Sequence, residues 1–440
     1  MNVRKLIHYP LALRLLLSGL LAIGLIPVSA QAAPPVSYYV SPTGSDANSG
    51  TSPDKPLQYI QTAANKTNPG DTVYVMNGTY WDGAGKPPLD ITRSGAPNAY
   101  ITYKAYPGHK PVIRVGQGAW NHIMVKGASY INIEGFEIFG WNLYLSNTEA
   151  KQYEDQGTLA YQAKFNTNGI SVERDGNNIP HHINIRYNTV HHAPGAGIAV
   201  AEGDYFDISY NTVYSNCWFS GWGPSGISVR APRSIDSNTS YKTFIYNNKV
   251  YDNITNYKWV DENKYSDGNG IAIDTNVENN YVGKTLINNN LVYENGGAGI
   301  NIFKSKEVTV SYNTTYANSK SPYLNWGEIG AGGSSNVYVA NNIFYSNNET
   351  VNSADDFTGG TMPTVKFDHN IFFNGAVKVT GWNNIVADPL FVNLAARDFH
   401  LKSNSPAVNS GDNNMGTGTD YDGISRPVAN IVDRGAYEYH

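Results

Sequence analysis

Between Trp218 and Asn301 the chain gathers side chains able to hold an anionic group and to move protons: Arg230, Tyr257, Lys258, Lys264, Tyr265, Asp267 and Asp274. The planar fork of Arg230 can clamp a carboxylate through paired N–H bonds. Lys258 or Lys264 becomes a base if burial or Arg230 depresses its ammonium, while Asp267 and Asp274 push the other way. Tyr257 or Tyr265 can donate a proton. Two carboxyls, Asp274 with Glu173 or Asp267, form an alternative acid and base or nucleophile. Asp267 and Asp274 also offer two of the roughly six to eight oxygens that Ca2+ takes, although capping of a turn by Asp267 explains its position equally well. His191 and His192 can act as bases near neutral pH. Adjacent strand residues face opposite ways, so at most one of them, taken as His192, joins a common site.

What positions these residues is a repeat. A unit Gly-Ile-x-Val or Gly-Ile-x-Ile begins at Gly169, Gly197, Gly226, Gly270 and Gly299. A second unit follows each, an alternating strand that ends in Tyr-Asn or Asn-Asn, as in Ile183 to Val190 or Leu286 to Val292. Its asparagines are Asn188, Asn211, Asn248, Asn290, Asn313, Asn342 and Asn370, at intervals of 23, 37, 42, 23, 29 and 28. The interval of 23 is one bare coil; the longer ones are that coil plus inserted loops. Alternation with period two marks strands. Short strands with Gly and Asn at every corner describe a parallel β-helix, in which Asn tolerates the left-handed corner and can stack coil upon coil. Leu57 to Lys66 has helical spacing ahead of Pro69, which predicts a helix capping the N-terminal end. The segment from about 387 to 440 is expected to close the other end.

With Ile and Val turned inward, the residue four after each Gly points outward. That column reads Glu173, Ala201, Arg230, Asp274, Phe303. Neighbouring coils lie about 4.8 Å apart, so Arg230 is expected beside Asp274, with Glu173 about two coils from Arg230. A solvated ladder of ion pairs is the plainer explanation of such a column. Asn301, two after Gly299, points the same way. The insertions Phe139 to Asn168, Tyr214 to Ser225 and Tyr251 to Asn269 all precede this strand, so they can wall one groove. They bring Trp218, Trp222, Tyr257 and Trp259, whose faces suit sugar rings; about half of the loop aromatics are expected only to pack the loops down.

The chain has 440 residues, with 31 basic and 36 acidic side chains, a net charge of −5. That balance excludes the basic footprint of a nucleic-acid binder. One cysteine, Cys217, excludes an intramolecular disulfide and a cysteine metal cluster. Arg4, Lys5 and Arg14, the apolar run Leu15 to Ile26 and Ala30-x-Ala32 read as a signal peptide over residues 1–32, cleaved near Ala32. The rest, 33–440, is then one β-helix domain carrying −8 outside the cytoplasm, with no membrane span and expected as a monomer.

With Tyr38-Tyr39-Val40-Ser41-Pro42-Thr43-Gly44, Pro69-Gly70-Asp71-Thr72-Val73 and the closing Arg434-Gly435-Ala436-Tyr437-Glu438-Tyr439, the chain resembles the secreted right-handed parallel β-helix proteins, a group rich in polysaccharide lyases and glycosidases. The resemblance implies an all-β, single-stranded β-helix. It also implies an extracellular lyase that cleaves an acidic, uronate-containing polysaccharide by β-elimination. In such lyases the base is typically a lysine, which points to Lys264. The chain departs from the calcium pectate lyases, because no run of aspartates adjoins a strand lysine. That favours alginate, with no required cofactor, or with Ca2+ as the alternative. Neither the Asn-Thr-Asp nor the Gly-His-Gly signature of polygalacturonases occurs. Two other readings stay open: a glycoside hydrolase or epimerase using the Asp/Glu pair, and a non-catalytic carbohydrate-binding surface protein.

Overall fold

The computed structural model describes residues 34–440 apart from 83–84, 348–350, 357, 359 and 417. The leader expected over 1–32 lies outside the described residues. Within 35–440 the alternating segments form three long parallel sheets, of twelve, ten and eleven strands among the described residues. Each coil gives one strand to each sheet, so the parallel β-helix expected from the repeat is what forms. The Gly-Ile-x-Val units build the ten-stranded sheet. Their first isoleucines pair in register, Ile170 with Ile198, then Ile227, Ile271, Ile300 and Ile329. These isoleucines are fully buried, and Val172, Val200, Val229, Ile273 and Ile302 line the same core. Each such side chain contributes about 1.5–3 kcal/mol on burial, and a slip by one residue would turn the whole set into water.

The corners obey hydrogen-bond arithmetic. Asn188, Asn211, Asn248, Asn290, Asn313, Asn342 and Asn370 form one continuous stack that ends on Asn384. Each side-chain oxygen accepts from the asparagine before it, and each amide donates to the next. At Asn290, for example, Nδ2 donates to Ile245 O and to Asn313 Oδ1, both at 2.9 Å. A second stack, Asn216, Asn253, Asn295, Asn318, runs under the inserted loops and ends on the buried carboxylate of Glu328. This stack explains the repeated glycine. A Cβ on Gly270 would lie 2.8 Å from Asn295 Nδ2 and 2.7 Å from Gly299 O, so any side chain would break both the stack and the strand pairing.

The ends differ from expectation in detail. The N-terminal helix spans only Ile60–Ala64, with Ile60, Ala63 and Ala64 turned to the core. Leu57 is not helical because its backbone pairs with the first strand, its N–H donating to Tyr39 O and its carbonyl accepting from Ser41 N. The segment after 387 does not close the far end. It lies along the flank, where Phe391, Phe399 and Leu401 cover Leu291, Tyr293, Ile343 and Ile371. Those outward apolar residues of the eleven-stranded sheet need a cover more than the last coil does. Trp382 and Val386 of that last coil remain exposed. Among the described residues no helix is long and apolar enough to cross a membrane.

Replacing Asn290 with Ala would leave buried donors and acceptors unpaired on both neighbouring coils. The expected cost is about 1–3 kcal/mol per stranded group. Urea unfolding should show a lower midpoint, with native circular dichroism retained.

Candidate functional site

The inserted loops share a small core of their own. The first carries the helix Asn147–Asp155, capped by the Ser146 side chain, and the short helix Ala163–Asn166. Ala150, Leu159 and Phe165 from this loop pack with Phe219 from the second and Tyr257 from the third, with Tyr153 and Trp218 at the margin. The three loops therefore stand as one wall along the edge of the ten-stranded sheet. The same packing corrects two expected sugar contacts. Tyr257 is only 6% exposed, its hydroxyl bonded to Asn147, and burial pushes it up to about 12. Trp218 is tucked against this core and the His192 ring. Trp222 keeps an open face: it is 44% exposed, with its indole N–H held by Ala160 O at 2.6 Å and its edge against exposed Tyr161.

Below this wall lies the outward face of the sheet. Register puts Ala201 beside Arg230, Arg230 beside Asp274 and Asp274 beside Phe303. Glu173 leads the same column two coils before Arg230. The parallel column is short-chained, Ser171, Ala199, Ser228 and Ala272, before Asn301. Small side chains thus lie between the charged column and the loop wall, in a strip called the trough below, with Ser171 and Ala272 buried in it. Arg230 is exposed in it, and among the described residues no carboxylate pairs with it within 4 Å. Its charge reaches both Glu173 and Asp274.

The carboxyls have been taken out of water. Burial raises Asp274 to about 6, against the pull of Arg230 and with a further push from Glu278. Its Oδ1 is buried without a hydrogen-bond donor. Burial likewise raises Asp267 to about 7, with the Asp274 charge adding to the rise. Asp267 accepts from Ser266 Oγ at 2.9 Å and from Asn269 Nδ2 at 3.1 Å. It sits against Gly223, where a Cβ would come within 2.6 Å of its Oδ2. Glu173 is shifted up for the same reason, loss of water, with Arg230 and Lys126 opposing.

The other candidates are placed differently. Lys264, the expected base, is exposed and paired with Glu262 on its own loop. Lys258 donates its backbone N–H to Glu154 at 2.8 Å and is half-buried. Trp259 pairs with Lys264 through the backbone, as one arm of a small hairpin. Tyr265 lies flat on Tyr323, ring centroids 3.7 Å apart. His192 occupies a left-handed corner between Phe139 and Trp218, and burial lowers it to about 4. Asn301 faces the trough, beside Ala272. Asp267 is already hydrogen-bonded, and among the described residues no third His, Cys, Asp or Glu brings a donor to it and Asp274.

Two contributors escaped the sequence reading. Tyr161, a further aromatic of the first insertion, joins Trp222 at the rim. Tyr323 belongs to a fourth insertion, residues 317–328, which precedes Ile329 as the others precede their strands. The position of that insertion in the repeat was the available signal.

Residues 38–220 match the family described as Pel9A-like, right handed beta helix region, as the motif resemblance implied. Pectate lyase L of Dickeya chrysanthemi is 25% identical, over 85% of each chain. Pectate lyase PEL9 of Emericella nidulans is 41% identical over 75 residues, a match that spans 17% of either chain. The crystal structure of pectate lyase Pel9A superposes with a TM-score of 0.55 at 19% identity, over 92% of this chain and 96% of that one, a likeness of fold.

The raised carboxyls set a pH dependence. An unfolded aspartate titrates near 3.9, so between about pH 4 and 7 the folded chain binds more protons than the unfolded chain. The stability linked to Asp267 and Asp274 is full below about pH 4 and lost as pH rises through about 6 and about 7. Asp267→Asn should therefore melt higher than the unsubstituted protein at about pH 8, with the gain fading towards pH 4. Melting curves across that range check it; a gain independent of pH would contradict a raised Asp267.

Proposed function

We propose that the protein is a polysaccharide lyase that cleaves a uronate-containing chain by β-elimination in this trough. The observation that carries the reading is Arg230, exposed on the trough floor with no carboxylate within 4 Å among the described residues, beside Asp274, whose carboxyl burial raises to about 6. Arg230 would bind the uronate carboxylate in a bidentate fashion and draw off its charge, which acidifies the proton at C5. Asp274, one coil along, has the lower pKa of the pair and would take that proton as base. Asp267, the higher of the two, would give its proton to the departing 4-oxygen. The C5–H and C4–O bonds break, a C4–C5 double bond forms, and the leaving oxygen carries the proton from Asp267. Trp222 would stack on a sugar at the rim.

The relatives named as pectate lyases favour a polygalacturonate-like substrate over the alginate suggested by the motif pattern. Secretion before action follows from the leader pattern of residues 1–32 and is part of the same proposal. A second reading rests on the same carboxyls: Asp274 as base or nucleophile and Asp267 as acid would serve a glycoside hydrolase.

The products decide between them. Polygalacturonate, offered beside alginate and each with and without chelator, should yield an ultraviolet-absorbing unsaturated uronate; only saturated reducing ends would favour the hydrolase. For the lyase, kcat/KM should be bell-shaped in pH with limbs near about 6 and about 7. Asp274→Asn should lower kcat by about 10²–10⁴-fold. Arg230→Ala should lower kcat/KM by about a hundredfold, mostly with charged substrate. Lys264→Ala should change little; loss of turnover there would return the base to Lys264.

A further inference from the structure

At the corner between the twelve- and eleven-stranded sheets, the coil carries a column of residues in left-handed backbone: Tyr210, Asn247, Asn289, Tyr312, Asn341, His369 and Asn383. Their side chains point away from the core, and the C-terminal segment docks on them. Asn289 donates to Thr419 O at 2.6 Å, Tyr312 to Gly416 O at 3.0 Å, and Asn341 to Asp412 O at 3.0 Å. Asn341 also accepts from the Asp412 N–H at 2.8 Å. Each of these contacts is an ordinary neutral hydrogen bond between coil and segment.

His369, the next residue in the column, breaks the pattern. Its Nδ1 is buried and has no hydrogen-bond partner, although Asp368 Oδ1 lies 3.0 Å away. The two atoms are close but lack the alignment of a hydrogen bond. Asp412 joins them: one donor atom each from Asp368, His369 and Asp412 lie within 4.8 Å of one another. Asp368 is nearly sealed, its side chain 5% exposed, and is held in place by the Tyr338 hydroxyl at 3.0 Å and Asn383 Nδ2 at 3.2 Å. Arg434 is the cation near Asp368, but its N–H groups go to the carbonyls of Asn370, Asn383 and Ser410.

We propose that Asp368, His369 and Asp412 bind a divalent metal ion of the zinc class, which fastens the C-terminal segment to the coil. An imidazole nitrogen with two carboxylates is a donor set for zinc rather than for calcium, which takes oxygens alone. The Tyr338 and Asn383 contacts orient the Asp368 carboxylate, as partners behind a metal ligand do. The ion would supply the bond that His369 lacks. Because Asp412 arrives from a segment far along the chain, the ion would bind the folded state and not the unfolded one, and so raise stability by mass action. This site is independent of the trough and of the reaction assigned to it.

The test uses the mature full-length protein stripped with chelator. Zinc alone should bind at one ion per chain and raise the melting temperature by a few degrees, and calcium alone should do neither at the same concentration. His369→Ala and Asp412→Asn should each abolish the zinc-dependent rise and the bound ion, while melting like the stripped unsubstituted protein and keeping its turnover. Asp412→Asn preserves the side-chain oxygen that accepts from Asn414 N, so loss of its zinc response cannot be ascribed to loss of that turn. No zinc bound by the unsubstituted protein, or full zinc binding by both variants, would overturn the site.

Discussion

The structure rests on register. Every coil must present isoleucine and valine inward at the same height, since neighbouring coils are joined along their length by parallel strand pairing and by the side chains stacked beneath it. The two asparagine stacks lock that register at two corners, because each amide can reach only the amide one coil away. Glycine at Gly197, Gly226, Gly270 and Gly299 follows from the second stack, whose asparagine amides, with the next coil's carbonyl, leave no room for a Cβ. Once register is set, the outward columns are set too. Arg230 stands beside Asp274 for no reason of its own, but because Ile227 stands on Ile271 and Val229 on Ile273.

The loops add what a bare coil cannot. Exposed on a flat sheet, the carboxyls of Asp267 and Asp274 would behave as ordinary surface acids. In the folded chain burial raises both, Asp267 against Gly223 and Asp274 on the strand below the loops. The aromatic residues of the insertions thus divide their work. Some pack inward to make the wall rigid, while Trp222 and Tyr161 remain on its rim. On the opposite flank the C-terminal segment covers apolar side chains that the eleven-stranded sheet turns outward, which makes it part of the fold rather than a tail.

The asparagine column was legible residue by residue, since a strict spatial repeat prints a strict sequence pattern: Asn188 through Asn370 appear in the stack in the order read, and only Asn384 was added. The outward column from Glu173 to Phe303 followed from the two-residue period of a strand. The second stack was harder to see, because Asn216, Asn253, Asn295 and Asn318 sit at the mouths of insertions of unequal length and end on a glutamate. The shortened helix at Ile60 was also hidden, since Leu57 obeys helical spacing but its backbone is claimed by the first strand.

The amino-acid order alone determined the coil, its inward set and which charges share a column, because those depend on contacts between neighbouring repeats of one local pattern. Only the tertiary structure decided which side chains the loops would bury. Tyr257 and Trp222 look alike as insertion aromatics, yet one is sealed by residues about a hundred positions away and the other is left open. Lys264 and Asp267 lie three residues apart, yet one points to solvent and the other into the shelter of Gly223. Exposure, and with it pKa and chemistry, is a property of how separate insertions meet, and no single stretch of sequence carries it.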